Sequence, residues 1–450
     1  MTRIVVIGGV AAGMSAASQA KRRQPQAEVV ALERGPYVSY GACGIPYNLE
    51  DPRRNIEDLI VISEDRFRNE RGIDVRTRHE VQRIDSKSRC VYARDLDRHS
   101  NYALAYDKLI VATGARAFHP PFSGMELPGV FLLRELSDGA AIKRHLEQEH
   151  PASAVIIGGG YIGMEMADVL RGRGLAVTVL ERLEQLTPGF DPEIAGRVRQ
   201  EVEAHGVTVS TGVDVGAIVN TDGRLAVQTD NGPVPADMVL VSVGVRPNAA
   251  LADEAGIKLG ASGAIAVDEG MRTSVEDIFA AGDCAEAYHR VLKRPVYIPL
   301  GTTANKQGKV AGANAAGGDL RFAGIVGTAA FKVFGMEVGR TGLGRSDIEH
   351  EGLDAVTAVS VHKSRGHHYP GSQDITTIVF AERGSGRLLG AQMVGGDTVA
   401  KRIDVFATAL HAQMTVADVA GLDLSYAPPF APVYDPVLIA ASVALKELKR

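Results

Sequence analysis

The chain has 450 residues, 45% hydrophobic and 23% charged, which is ordinary for a globular protein and enough for two or three domains with separate cores. A net charge of −5 without a long basic run excludes the electrostatic footprint of a nucleic-acid binder. No apolar stretch reaches the roughly 20 residues of a membrane helix. Three scattered cysteines exclude a disulfide framework, so a reducing, cytoplasmic compartment is expected.

The chain enters its first strand without a basic leader or cleavage site, so no targeting segment is expected. Arg3 to Ile7 is an apolar, β-branched run that meets Gly8-Gly9-Val10-Ala11-Ala12-Gly13, and a helical pattern follows from Met14 to Arg23. A second strand, Glu28 to Leu32, ends in Glu33 and Arg34. Strand, glycine turn, helix, strand and acid form a dinucleotide-binding unit: backbone N–H groups and the helix N-terminus face a pyrophosphate, and the acid accepts from a ribose hydroxyl. Val10 interrupts the glycine fingerprint, but the surrounding βαβ pattern and the interval to Glu33 restore it.

Cys43 follows in the run Ser39-Tyr40-Gly41-Ala42-Cys43-Gly44-Ile45-Pro46-Tyr47, about ten residues past that unit. Five residues on, where a dithiol enzyme has its second cysteine, stands Asn48. A lone thiolate beside a redox cofactor cycles through a mixed disulfide with a small thiol or through a sulfenic acid. The alternative is a small buried hydrophobe.

Leu109 to Val111 is a strand that ends in Ala112-Thr113-Gly114-Ala115. The dinucleotide pattern then recurs in full: strand Ala154 to Ile157, fingerprint Gly158-Gly159-Gly160-Tyr161-Ile162-Gly163, helix Met164 to Arg173, and strand Ala176 to Leu180 ending in Glu181. Glu181 favours the free 2′-hydroxyl of NADH, and Arg182 beside it keeps NADPH open. Gly244-Val245-Arg246-Pro247-Asn248 follows, then a strand predicted from Thr273 onward into Ala281-Gly282-Asp283. From Leu300 a helix is expected, opened by the polar caps of Gly301-Thr302-Thr303.

From about Gly327 the pattern is antiparallel, with strands at Ala355 to His362, Ile375 to Ala381 and Leu388 to Gly395, then helices at Lys401 to Ala412 and Pro436 to Leu448. His367-His368-Tyr369-Pro370-Gly371 and Ser425-Tyr426-Ala427-Pro428-Pro429-Phe430 set a tyrosine on a proline-stiffened turn. The two histidines lack spaced cysteine or carboxylate partners, and no metal is expected.

Together these segments resemble the single-cysteine branch of the pyridine nucleotide-disulfide oxidoreductases: coenzyme A-disulfide reductases, CoA-persulfide and polysulfide reductases, and NADH oxidases and peroxidases. The resemblance covers essentially the whole chain. It implies an α/β fold of two Rossmann-like domains, an FAD domain at 1–115 and 246–325 interrupted by an NAD(P)H domain at 116–245, followed by an α+β dimerisation domain at 326–450. No fused sulfur-transfer module is expected after Arg450.

By that resemblance FAD is held by Gly8, Ala12, Gly13, Glu33, Arg34, Ala112, Thr113, Gly114, Gly282, Asp283 and the Gly301–Thr303 helix start, with Asp283 on the ribitol. NADH or NADPH is held by Gly158, Gly160, Tyr161, Ile162, Gly163, Glu181 and Gly244, with Tyr161 gating access to the flavin.

Cys43 matches the redox cysteine, with a thiol pKa expected to be lowered, and Tyr369 and Tyr426 match tyrosines that reach it from the other subunit of a homodimer. Gln19, Arg22, Arg23 and Ser39 are the expected coenzyme A contacts, although the basic cluster also reads as a solvated face. Glu165 matches a carboxylate near the flavin. Ala42 departs from the asparagine of some coenzyme A-disulfide reductases, and Ala11 from the histidine of the oxidases and peroxidases. The implied activity is reduction of CoA disulfide, CoA persulfide or polysulfide by NAD(P)H. NADH oxidase or peroxidase chemistry and a flavin redox sensor remain the alternatives.

Overall fold

The structure, a computed structural model, describes residues 1–450. Two five-stranded parallel sheets carry the first two-thirds of the chain. One has the order Ile278–Ala280, Lys108–Val111, Arg3–Ile7, Glu28–Leu32, Asp74–Arg76; the other has Thr208–Thr211, Ala176–Glu181, Ser153–Ile157, Met238–Val241, Val130–Leu132. Both glycine-turn strands, Arg3–Ile7 and Ser153–Ile157, are central, and their near-continuous burial is what a parallel sheet covered on both faces requires. Each sheet also has a three-stranded antiparallel meander attached, at His79–Ala105 and Val215–Ala236. The chain crosses between the two units through an antiparallel ribbon of Ala115–Ala117 and Val245–Pro247.

The last third is an antiparallel sheet, ordered Ala329–Val333, Met336–Gly342, Leu388–Gly395, Asp374–Glu382, Ala355–Lys363. Helices Val399–His411 and Pro436–Glu447 pack on it through Ile403, Phe406, Val437 and Ala441. It shares one hydrophobic core with the second parallel unit, in which Phe331, Val338 and Phe380 join Ile156, Val179 and Phe190. Buried Asp191 fixes that junction: its carboxylate accepts from Gln392 Nε2 and Arg345 Nε, each at 2.9 Å, and its N–H donates to Gln392 Oε1 at 2.8 Å.

Three expectations are corrected. The helices after the glycine turns begin earlier, at Ala11 and Tyr161, because the turns need only Gly8–Val10 and Gly158–Gly160 to reverse the chain. The strand predicted from Thr273 covers only Ile278–Ala280, since Asp277 at φ 64° breaks extended backbone before it. The Gly301–Ala315 helix has no polar cap; Leu300 is its N-cap residue and makes no side-chain bond to it.

That helix lies against Ala11–Arg23 at backbone distance. A Cβ on Gly308 would stand 2.3 Å from Ala12 O, and one on Gly312 2.1 Å from Ala16 O, so only glycine permits this approach.

Candidate active site

A cavity of about 2230 Å³ runs between the two parallel units and the C-terminal sheet. Three helix N-termini open onto it, at Val10–Ala12, Gly160–Ile162 and Leu300–Thr302. None has a side-chain cap or an acidic residue in its first turn. Helices Glu64–Arg71, Val416–Ala420 and Pro436–Glu447, in contrast, are capped by Ser63, Thr415 and Asp435. Unpaired N–H groups and the positive ends of three helix dipoles therefore converge on one space, which suits anionic ligands.

The glycines divide in the same sense. A Cβ on Gly13 would lie 1.8 Å from Gly8 O, and one on Gly163 2.1 Å from Gly158 O, so these hold helix against turn and do not line the cavity. A Cβ on Gly41, Gly160 or Gly301 would meet no protein atom within 4 Å, and none of the three has a positive φ. Nothing in the protein's own packing demands glycine there, whereas the close approach of a bound molecule does. The residues thus fit two dinucleotides.

Glu33 and Glu181 occupy equivalent places. Glu33 accepts from Gly9 N at 2.6 Å and Gly35 N at 2.7 Å; Glu181 accepts from Gly159 N at 2.7 Å and Leu183 N at 2.8 Å. Each carboxylate pins its own glycine turn and keeps further lone pairs for a ribose diol. Burial pushes the Glu33 carboxyl up, and the two amide bonds pull it back. Arg34 pairs with Glu135, while Arg182 is exposed on the cavity wall.

Cys43 sits in the single turn Ala42–Gly44, which runs directly into helix Ile45–Glu50. Ile45 and Leu49 anchor that helix in the core, leaving Cys43 exposed at the cavity. The thiol is not lowered as the sequence suggested. Lost solvation pushes it up first, the Glu165 carboxylate adds to this, and Arg134 opposes both. Glu165 also lines the cavity, and its Oε1 accepts from Tyr47 Oη at 2.7 Å. Burial raises the Glu165 carboxyl, against the lowering effect of that bond.

Tyr161, also on the cavity wall, stacks on Phe331 at 5.1 Å between centroids and meets Phe190 edge-on at 5.9 Å. Asp283 is held by Arg134, a residue sequence reasoning passed over because it lies in a loop between the two nucleotide motifs. Tyr47 was visible in the cysteine run, but its partner lies 118 residues away. Phe331 comes from another sheet, and no local pattern marks it.

Thr303 is buried and does not line the cavity, whereas Thr302 and Asn305 do. Gly282 is likewise off the wall, at φ 83° with its N–H bonded to Gln307 Oε1. Gln19, Arg22 and Arg23 lie outside on the last turns of the first helix, with Arg22 Nη1 donating to Gln19 Oε1 at 2.7 Å. Ser39, at φ 49°, is also off the wall, tied by backbone bonds to Gly9 and Val61. Within one chain Tyr369 and Tyr426 are not among the residues that line the Cys43 cavity. Their two turns are joined to each other, Gly366 N donating to Pro428 O at 3.0 Å. Buried Arg402, paired with Asp435, donates to Ser364 O and Phe430 O and so clamps both.

Residues 2–308 match the pyridine nucleotide-disulphide oxidoreductase family and residues 328–436 its dimerisation domain. The chain belongs to the pyridine nucleotide-disulphide oxidoreductases. Membership implies FAD and NAD(P)H as cofactors. Among members of the family, an NAD(P)H sulfur oxidoreductase (CoA-dependent) of Pyrococcus abyssi is 38% identical over 98% of this chain and 97% of its own length. An NADH oxidase of Methanocaldococcus jannaschii is 36% identical over 99% of each chain. The solved NAD-dependent persulfide reductase from A. fulgidus superposes with a TM-score of 0.96 at 40% identity, over 100% of this chain and 84% of that one. No helix is long and apolar enough to cross a membrane.

Proposed function

We propose that this oxidoreductase reduces coenzyme A disulfide, CoA persulfide or polysulfide with NAD(P)H, through Cys43 as its single redox thiol. The observation that carries the reading is a lone cysteine exposed on the wall of a cavity built for two dinucleotides. The names of the Pyrococcus and A. fulgidus relatives support it.

In this reading the Cys43 thiolate attacks one sulfur of the substrate, forms a mixed disulfide and expels the other sulfur as a thiolate, which takes up a proton. Bound FAD supplies the two-electron chemistry by which NAD(P)H returns that mixed disulfide to a Cys43 thiolate and a free thiol. Glu33, Asp283, Thr113 and the uncapped Ala11–Arg23 and Gly301–Ala315 helices would hold the flavin nucleotide, with Glu181 and the Tyr161–Gly172 helix holding the nicotinamide nucleotide. Tyr161 would have to swing off Phe331 to admit the nicotinamide. The division of the chain at 115/116 and 245/246 belongs to the same reading and is supported by the crossing ribbon there.

Tyr369 and Tyr426 would serve Cys43 from the second subunit of a homodimer, with Gln19, Arg22 and Arg23 contacting coenzyme A. The dimerisation match supports this, as do exposed Tyr369, Tyr426, Phe430, Val433 and Tyr434. The NADH oxidase of M. jannaschii favours oxygen reduction as the second reading. Against it, Ala11 stands in the first glycine turn where the resembled oxidases and peroxidases carry a histidine that would serve a sulfenic acid.

Steady-state NADH consumption decides between them. Turnover with CoA disulfide or persulfide well above that with oxygen supports the sulfur reading; faster oxygen reduction than with every sulfur acceptor overturns it. Hybrid dimers of Cys43→Ser and Tyr426→Phe protomers should regain one intact site if the residues act in trans, and no recovery after verified subunit exchange would overturn that arrangement.

A further inference from the structure

Glu165 belongs to the nicotinamide-side helix Tyr161–Gly172, one turn beyond Tyr161, whereas Tyr47 belongs to the helix that begins beside Cys43. Their hydrogen bond of 2.7 Å therefore spans the two nucleotide units. A second bond, Arg173 Nη1 to Leu49 O at 3.2 Å, fixes the same two helices against sliding. Glu165 and Cys43 line the same cavity.

We propose that Tyr47, one helical turn beyond Cys43, and Glu165 are positioning residues that hold a negative charge on the Cys43 side of the cavity and so set the ionisation of the thiol. The inference rests on the reading of Cys43 as the redox thiol. When Glu165 is a carboxylate, its charge opposes that of a thiolate at Cys43. Tyr47 donates to the carboxylate and so favours the charge on Glu165.

The remaining groups that face the couple do not reverse its sense. Arg134 favours the thiolate and Asp283 opposes it at Cys43, while Asp168 stands near Tyr47. Lost solvation and the Glu165 carboxylate both push the Tyr47 phenol up, so it stays a donor throughout the working range.

The test is the pH dependence of Cys43 alkylation by iodoacetamide in the FAD-loaded protein, reduced with dithiothreitol, desalted, and followed by the mass of the Cys43 peptide. Glu165→Gln keeps the shape and an acceptor for Tyr47 but removes the charge. It should lower the midpoint by about one pH unit, making alkylation near neutral pH about tenfold faster. Glu165→Asp should stay near wild type, Tyr47→Phe should move the midpoint down by less, and the double variant should move it no further than Glu165→Gln alone. An unchanged midpoint in Glu165→Gln, or additive shifts in the double variant, overturns the proposal. Because loosened packing would also rehydrate the thiol, Glu165→Asp is the control: a midpoint shift there as large as in Glu165→Gln would trace the effect to packing and overturn the proposal. Because alkylation needs no sulfur acceptor, failure of the protein to reduce CoA disulfide would strike the functional reading separately.

Discussion

Arg134 reaches from one nucleotide unit to the other: its Nη2 donates to Asp283 Oδ2 at 2.6 Å while its Nε donates to Ala115 O at 3.2 Å. Both partners of the ion pair are largely shielded, so truncating Arg134 leaves a carboxylate facing the cavity without its counter-charge. Arg134→Met should cost about 1–3 kcal/mol of stability and weaken FAD retention by about tenfold or more. Thermal unfolding and the flavin remaining after gel filtration check this; full retention of both would show the pair to be dispensable.

Cys43→Ser should still be reduced by NADH at its flavin but should lose turnover with CoA disulfide by at least about 10³-fold. Anaerobic reduction of the wild type should leave long-wavelength absorbance that the variant lacks. Cys284 is buried, with its Sγ against Val111 O and Ala281 O at 3.4 Å each, and Cys90 opens the middle strand of the His79–Ala105 meander, away from the cavity. Replacing either by serine should change turnover by less than about twofold, and a larger effect would reveal a second working thiol.

Glu181 pins Gly159 and, in the proposed reading, also faces the ribose. Glu181→Ala should therefore lower kcat/KM for NADH by about 10- to 100-fold and shift the ratio toward NADPH, helped by exposed Arg182. The ratio of kcat/KM for the two cofactors is the measurement, and a wild-type preference for NADPH contradicts the assignment.

His289 is buried on the cavity wall, and lost solvation first, then Arg340 and Arg294 against the attraction of Asp347, lower its imidazole to about 4. The unfolded imidazole titrates near 6.5, so between about pH 6.5 and 4 the unfolded chain binds a proton that the native state refuses. Stability from this group is whole above that window and falls by up to about 1.4 kcal/mol per pH unit as the solution is acidified through it. His289→Asn should flatten this part of the denaturation profile relative to wild type, and parallel profiles would remove His289 from the account.

Both glycine turns, their terminal acids and the central strands were legible because a parallel strand and a phosphate-facing turn are written in adjacent residues. The same locality exposed Cys43. The Tyr47–Glu165 and Arg134–Asp283 pairs were not, since each joins residues more than a hundred positions apart. The sign of the Cys43 shift was misread for the same reason: its surroundings come from distant segments. Of the Gly301–Thr303 helix start, Gly301 and Thr302 line the cavity while Thr303 turns into the core, since each step along a helix rotates the side chain by about 100°.

The contact of Gly308 and Gly312 with Ala12 and Ala16 makes the two helices a ruler. Each begins at the cavity, and with backbone against backbone at these two crossing points their starts keep one separation. A methyl group at Gly308 would force the rods apart and spoil the span rather than either end. Such a variant should discriminate by ligand length, losing an extended dinucleotide while still accepting a short mononucleotide that touches one helix at a time.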